Sequence, residues 1–233
     1  MVRHGFFLFA LAALGLGLAV SAAHAQDAET KAAARAIDNA DPDVVDPNLI
    51  KGEKWTLDFR FEQPEAIVVT DPATGEKQVF WYVVYTATNR TGADHNFVPV
   101  FTLYADTGAI RRAGIYPTVF DAIKRTRKVR FLENAVQVIG KILVGEDNAR
   151  TGVAIFPPLD RETAHFTIFV EGLSGEYVER PAGAPAAKAA EAGKAAEVVR
   201  LRKALAIAYN LPGDRWWRNL DQPIFVSKKW TWR

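Results

Sequence analysis

Residues 78–89 read QVFWYVVYTATN, and both alternating sets of this run are rich in β-branched and aromatic side chains. Successive strand residues point to opposite faces. A stretch that is apolar on both faces therefore predicts a central strand buried on both sides. Upstream, Trp55, Leu57, Phe59 and Phe61 alternate with Thr56, Asp58, Arg60 and Glu62, the pattern of a half-buried strand. Residues 66–70 extend it beyond Pro64, and Asp71-Pro72-Ala73-Thr74-Gly75 reads as a turn. Residues 97–105 form the next expected strand. Pro99 cannot donate to a ladder, which puts that strand at an edge or gives it a bulge.

The stretch 116–143 breaks the dyad and reads as a helical insertion between strands. Pro117 suits a first helical position, and Val119, Phe120 and Ile123 share one face. Leu132, Ala135, Val136 and Ile139 make a second stripe that fits a helix or a strand. Residues 145–152 read as a turn and 153–156 as a strand ended by Pro157-Pro158. Residues 163–170 follow, with Phe166, Ile168 and Val170 on one face. The Ala/Pro-rich segment 181–196 reads as a flexible loop within one domain. Alternation of Val199, Leu201, Leu205, Ile207 and Tyr209 predicts a strand, and residues 224–232 close the chain as another. There Trp230 and Trp232 share parity, which predicts both indoles inward with Lys229 and Thr231 in water. The expected fold class is mainly β: an antiparallel immunoglobulin-like β-sandwich of seven to nine strands with one helical insertion, spanning 51–233.

The ends and the charge set the expected compartment. Arg3 precedes an uncharged apolar stretch at 5–20, and Ala23-His24-Ala25 fits a cleavage site. Residues 1–25 thus read as a signal peptide, with an uncleaved N-terminal anchor as the alternative. Residues 26–50, rich in Ala and Asp with Pro42 and Pro47, read as a disordered tether. The chain has 29 Lys+Arg against 27 Asp+Glu; loss of Arg3 leaves 28 − 27, or +1. That balance argues against a dedicated nucleic-acid partner. The absence of cysteine excludes disulfides, thiolate metal sites and cysteine nucleophiles. An exported, periplasmic or extracellular protein without a transmembrane span after cleavage is expected.

Three stretches together carry a resemblance: Trp81 to Asn89 (WYVVYTATN), the Pro-bearing strand 97–104, and Gly145-Glu146 followed by Gly152-Val153-Ala154-Ile155-Phe156. They resemble bacterial extracytoplasmic immunoglobulin-like modules, over about a third of the chain. The resemblance implies a non-catalytic cell-envelope module and carries over no functional residue.

Several constellations are candidates for chemistry. Asp106-Thr107-Gly108, with Val138-Ile139-Gly140 downstream, looks like the aspartic-protease pattern. That chemistry needs two carboxylates sharing a proton, so Asp106 would meet its twin across a homodimer. An ordinary turn leaving a strand explains the same residues. Arg215, Trp216, Trp217 and Arg218 are candidates for stacking on sugar rings or for a membrane surface. Between Arg111 and Arg130, seven basic residues, among them Lys124, Arg125, Arg127 and Lys128, face Asp121 alone, a local +6. Between Gln26 and Glu65, ten acids face five bases. The functional reading is contact with an anionic surface; the plainer one is a solvated helix face neutralised by the acidic leader. His95 and His165 are not marked as a pair, so no metal is expected, nor any other cofactor. Asn89-Arg90-Thr91 matches a glycosylation sequon. The expected function is a non-catalytic exported binding or scaffold module, with an envelope protein or polysaccharide as partner. A glycan-binding module using Trp216 and Trp217, or the protease, is the alternative.

Overall fold

The fold is built around the run singled out above, which forms β4 (Lys77–Asn89). In the computed structural model, residues 45–70, 74–181, 198–214 and 222–233 are described. The expected signal peptide, residues 26–44 of the tether, and residues 182–196 of the Ala/Pro-rich segment lie outside the described residues. Residues from Val45 to Arg233 belong to one unit. It is mainly β, with antiparallel sheets and, among the described residues, one α-helix.

β4 is the hub of a four-stranded sheet. β2 (Asp58–Phe61) and β3 (Glu65–Thr70) follow one another along one edge of it, and β9 (Gly145–Phe156) takes the other. One face of β4, carrying Trp81, Val83, Tyr85 and Ala87, is buried against the second sheet. The opposite face, carrying Phe80, Tyr82 and Val84, is buried under α1 (Pro117–Arg127), which contributes Val119 and Ile123. Each such side chain removed from water contributes about 1.5–3 kcal/mol, so a strand apolar on both faces needs a layer on each side.

The second sheet has seven strands. β12 (Val198–Asn210) pairs along one side with β10 (His165–Glu171) and then β11 (Ser174–Pro181), and along the other with β13 (Ile224–Trp232). β6 (Val100–Ala105) flanks β10 and is followed by β7 (Ile110–Arg112); β1 (Ile50–Thr56) flanks β11. Phe101, Leu103, Phe166, Ile168, Leu205 and Ile207 meet β4 across the core between the sheets. A small ribbon pairs β5 (His95–Phe97) with β8 (Gly140–Ile142). The packing is consistent with a β-sandwich.

Several expectations are corrected. There are thirteen strands among the described residues rather than seven to nine. The predicted strand at 55–62 breaks at Leu57, whose N–H bonds Leu173 O at 2.9 Å, so β1 and β2 join different sheets. Pro99 neither marks an edge nor bulges a continuous strand. With no N–H to offer, it ends pairing between β5 and β6, and β6 lies inside its sheet. The predicted turn at 145–152 is the first half of β9, whose polar residues suit an outer strand. Residues 131–143 form turns and short β8, not one continuous helix or strand. At the C-terminus the expected alternation holds in part: Lys229 is exposed and Trp232 half-buried, but Thr231 is buried at 8% exposure and Trp230 is 37% exposed. Trp230 pairs with core residue Leu205, so its parity is inward, but β13 is an edge strand and the indole stays partly exposed, with the Lys203 ammonium 5.3 Å from its ring centroid.

Candidate functional site

A polar cleft with aromatic walls opens where β1 meets β11. Gly52 pairs with Glu176 and Thr56 with Ser174, and the register shifts between these points. The shift lets side chains cross close to backbone. A Cβ on Gly52 would stand 2.3 Å from the Gly175 carbonyl oxygen and 2.9 Å from Tyr177 Cδ1. A Cβ on Gly175 would stand 2.4 Å from Trp55 Nε1. The two glycines therefore leave room for the Tyr177 and Trp55 rings, and Gly52 adopts a positive φ of 89° that favours glycine.

The cleft, of about 320 Å³, is walled by Trp55, Asn96, Glu176, Tyr177, Arg200 and Arg202. The indole is held by stacking on His95, ring centroids 4.1 Å apart, and His95 Nε2 lies 2.7 Å from Thr91 Oγ1. The Arg200 guanidinium lies 4.2 Å above the Tyr177 ring and 3.3 Å from Glu179. Glu179 also accepts from Lys51 Nζ at 2.5 Å, and that hydrogen bond holds its carboxyl below the usual carboxylate range. Glu176 accepts from Lys203 Nζ at 2.5 Å. Arg202 is exposed, and its guanidinium has no ion pair among the described residues. The cleft thus offers ring surface, amide and carboxylate groups, and a guanidinium fork suited to bidentate contact with a carboxylate or phosphate.

The sequence candidates fall elsewhere. Asp106 lies in the turn between β6 and β7. Its carboxylate accepts from Ala164 N–H at 3.2 Å and His165 N–H at 3.1 Å, while its own N–H donates to His165 O at 3.0 Å. Gly108 supplies the positive φ that closes this turn. Gly140 begins β8, in a different sheet, so the Val138-Ile139-Gly140 segment does not underlie Asp106 through strand pairing. Arg215, Trp216, Trp217 and Arg218 lie outside the described residues.

Of the basic candidates, Lys124, Arg125 and Lys128 are exposed at the C-terminal end of α1. Arg127 is set apart from them: its guanidinium bridges Glu62 and Glu65. His165 Nδ1 meets Asn210 Oδ1 at 2.7 Å, away from the Thr91 and Trp55 partners of His95. Asn89 is fully buried, and its amide nitrogen donates to the Ala93 and Ile142 carbonyls at 2.8 and 3.0 Å. In the fold the sequon asparagine is therefore a structural side chain that ties β4 to the β5–β8 ribbon. Among the described residues no cluster of three or more His, Asp or Glu converges.

Sequence reasoning missed the cleft. Trp55 and Tyr177 are over a hundred residues apart, and nothing local to Gly175 marks it as facing Trp55. The one local signal is that Arg200 and Arg202 share a strand face. Comparison of the chain with protein-family models, curated proteins and solved structures gives no match.

Proposed function

We propose that this chain is a non-catalytic, exported binding module of the cell envelope, and that the β1–β11 cleft takes an acidic polysaccharide. The immunoglobulin-like class implied by the sequence resemblance belongs to this proposal. So do export by the leader and residence in the periplasm or outside the cell. The observation that carries the reading is the junction, in one open cleft, of the Trp55 and Tyr177 rings with the Arg202 guanidinium, which has no ion pair among the described residues. Sugar rings present apolar C–H faces to aromatic rings, and hydroxyls and carboxylates to amides and guanidinium groups. An open cleft of this size suits part of an extended polymer better than an enclosed small molecule.

The test is titration of the processed chain (residues 26–233) with uronic-acid polysaccharide and with isolated peptidoglycan. Arg202→Ser is expected to weaken binding about tenfold, the order expected for one charge-assisted contact. Tyr177→Ser should act in the same direction, and added salt should weaken the native interaction. Wild-type affinity in both variants would remove the cleft from consideration.

A further inference from the structure

The turn that follows α1 holds an exposed aromatic residue in an unfavourable backbone conformation. Phe131 is 76% exposed and has φ 58°, as does Lys128 nearby with φ 52°. Left-handed backbone is a genuine outlier for a bulky residue, and exposure denies Phe131 any compensation from burial. Such a conformation persists where the flanks over-determine it. Both flanks here are fixed. On one side Lys128 caps α1, its N–H reaching Lys124 O at 3.3 Å. On the other, Leu132 is buried beneath the helix layer, and the Glu133 N–H bonds Thr151 O at 2.9 Å. The Glu133 carboxylate is gripped by Arg150 through two contacts of 2.8 Å. The turn is therefore a built projection with Phe131 at its tip.

Its surroundings are cationic. Arg130 lies with its guanidinium 4.7 Å from the Phe131 ring centroid. Lys124, Arg125, Lys128 and Arg130 are all exposed, and none has an ion pair among the described residues. Glu62 and Glu65, acids that reach this end of the helix, are engaged by Arg127 and form no ion pair with the other four cations among the described residues. Asp121, one turn back on α1, is the sole acid between Arg111 and Arg130. Beside Phe131 opens a polar cleft of about 480 Å³ that includes Arg130, Gln137 and Arg150 in its walls.

We infer that this projection docks the protein on an anionic lipid bilayer, with Phe131 inserting at the level of the headgroups and Lys124, Arg125, Lys128 and Arg130 contacting lipid phosphates. The inference commits to a bilayer because Phe131 is 76% exposed at the tip of a projection, where a planar interface can take up the ring and meet all four cations at once. An interfacial lipid site uses both, since the ring gains apolar contact while the cations meet negative surface potential. It is independent of the β1–β11 cleft, which lies on other strands.

The experiment is vesicle co-sedimentation of the processed chain, so that the apolar leader does not reach the lipid. Vesicles of phosphatidylcholine alone are compared with vesicles containing an equal share of phosphatidylglycerol. Binding is expected only to the anionic vesicles. Phe131→Ser should lower the partition coefficient about fivefold, and K124Q/R125Q/K128Q by roughly a hundredfold. These are exposed positions, and far-UV spectra should match wild type. Equal binding to neutral vesicles, or wild-type partitioning in either variant, would overturn the inference. So would binding of soluble heparin that depends on the three basic residues but not on Phe131, accompanied by no retention on vesicles.

Discussion

Gly175 has no side chain, yet it decides whether the Trp55 ring can occupy the cleft wall. A methyl group there would meet the indole nitrogen at 2.4 Å and the Glu53 carbonyl oxygen at 2.7 Å. The second obstacle is backbone and cannot swing away. Gly175→Ala is expected to cost about 1–3 kcal/mol, the range for overpacking, and to displace the indole. Urea unfolding should show the loss, and the shift in tryptophan emission should accompany it. Polysaccharide affinity should fall in parallel if Trp55 walls the binding cleft. Asp106 works at the same scale by different means. Its carboxylate satisfies two backbone N–H groups at the start of β10. Asp106→Ala should lower stability by about 1 kcal/mol, the usual net value of such hydrogen bonding. Asp106→Asn retains an acceptor and should lose less. The pair of variants is compared by urea midpoint. An unchanged midpoint in Asp106→Ala would show that the clasp contributes nothing.

Among the elements, α1 is held by packing more than by charge. Ile123 is fully buried against Phe80, Tyr82 and Val84, whereas Arg127 reaches Glu62 and Glu65 at a partly open edge. Ile123→Ala should therefore cost about 2–4 kcal/mol. Arg127→Ala should cost less than about 1 kcal/mol, because water screens exposed ion pairs. The reverse order in denaturant unfolding would mean that the ion pairs, not the apolar face, hold the helix. The elements also show what local pattern conveys. β4 was legible because its two faces are apolar at every position that matters, and α1 because Pro117 and the Val119–Ile123 spacing coincide. The stretch after α1 was not, since Leu132 and Val138 are buried while Ile139 is 47% exposed. The Asn134 side chain accepts from the Val136 and Gln137 N–H groups there and bends the chain into a turn. The outward exposure of Trp230 was equally hidden: alternation assigns a face but does not say whether the facing layer extends that far. The cleft was illegible for a stronger reason. It depends on the register of β1 against β11 and on two glycines whose missing side chains acquire meaning only once the strands meet.

Across the whole molecule, tyrosines are buried in both cores, which couples folding to alkaline pH. Tyr85 and Tyr209 lie in the core between the sheets and Tyr82 under α1. Burial raises all three phenols above their ordinary pKa. For Tyr82 the hydrogen bond it donates to Glu65 at 2.5 Å adds to the effect, and for Tyr85 the nearby Glu133 charge does. The folded state thus keeps these protons at a pH where the unfolded chain, with phenols near the usual value of about 10, has released them. The stabilising contribution is fully present below about pH 10 and is lost as pH rises beyond it. Each phenol can remove at most about 1.4 kcal/mol per pH unit in that range. The two layers share β4, so ionisation in either core loosens the strand on which the other packs. Urea midpoints should hold up to about pH 10 and fall steeply from there to about pH 11, and the Tyr85→Phe chain should show a shallower decline. The same slope in wild type and variant would mean that the Tyr85 phenol is not among the groups whose ionisation opens the fold.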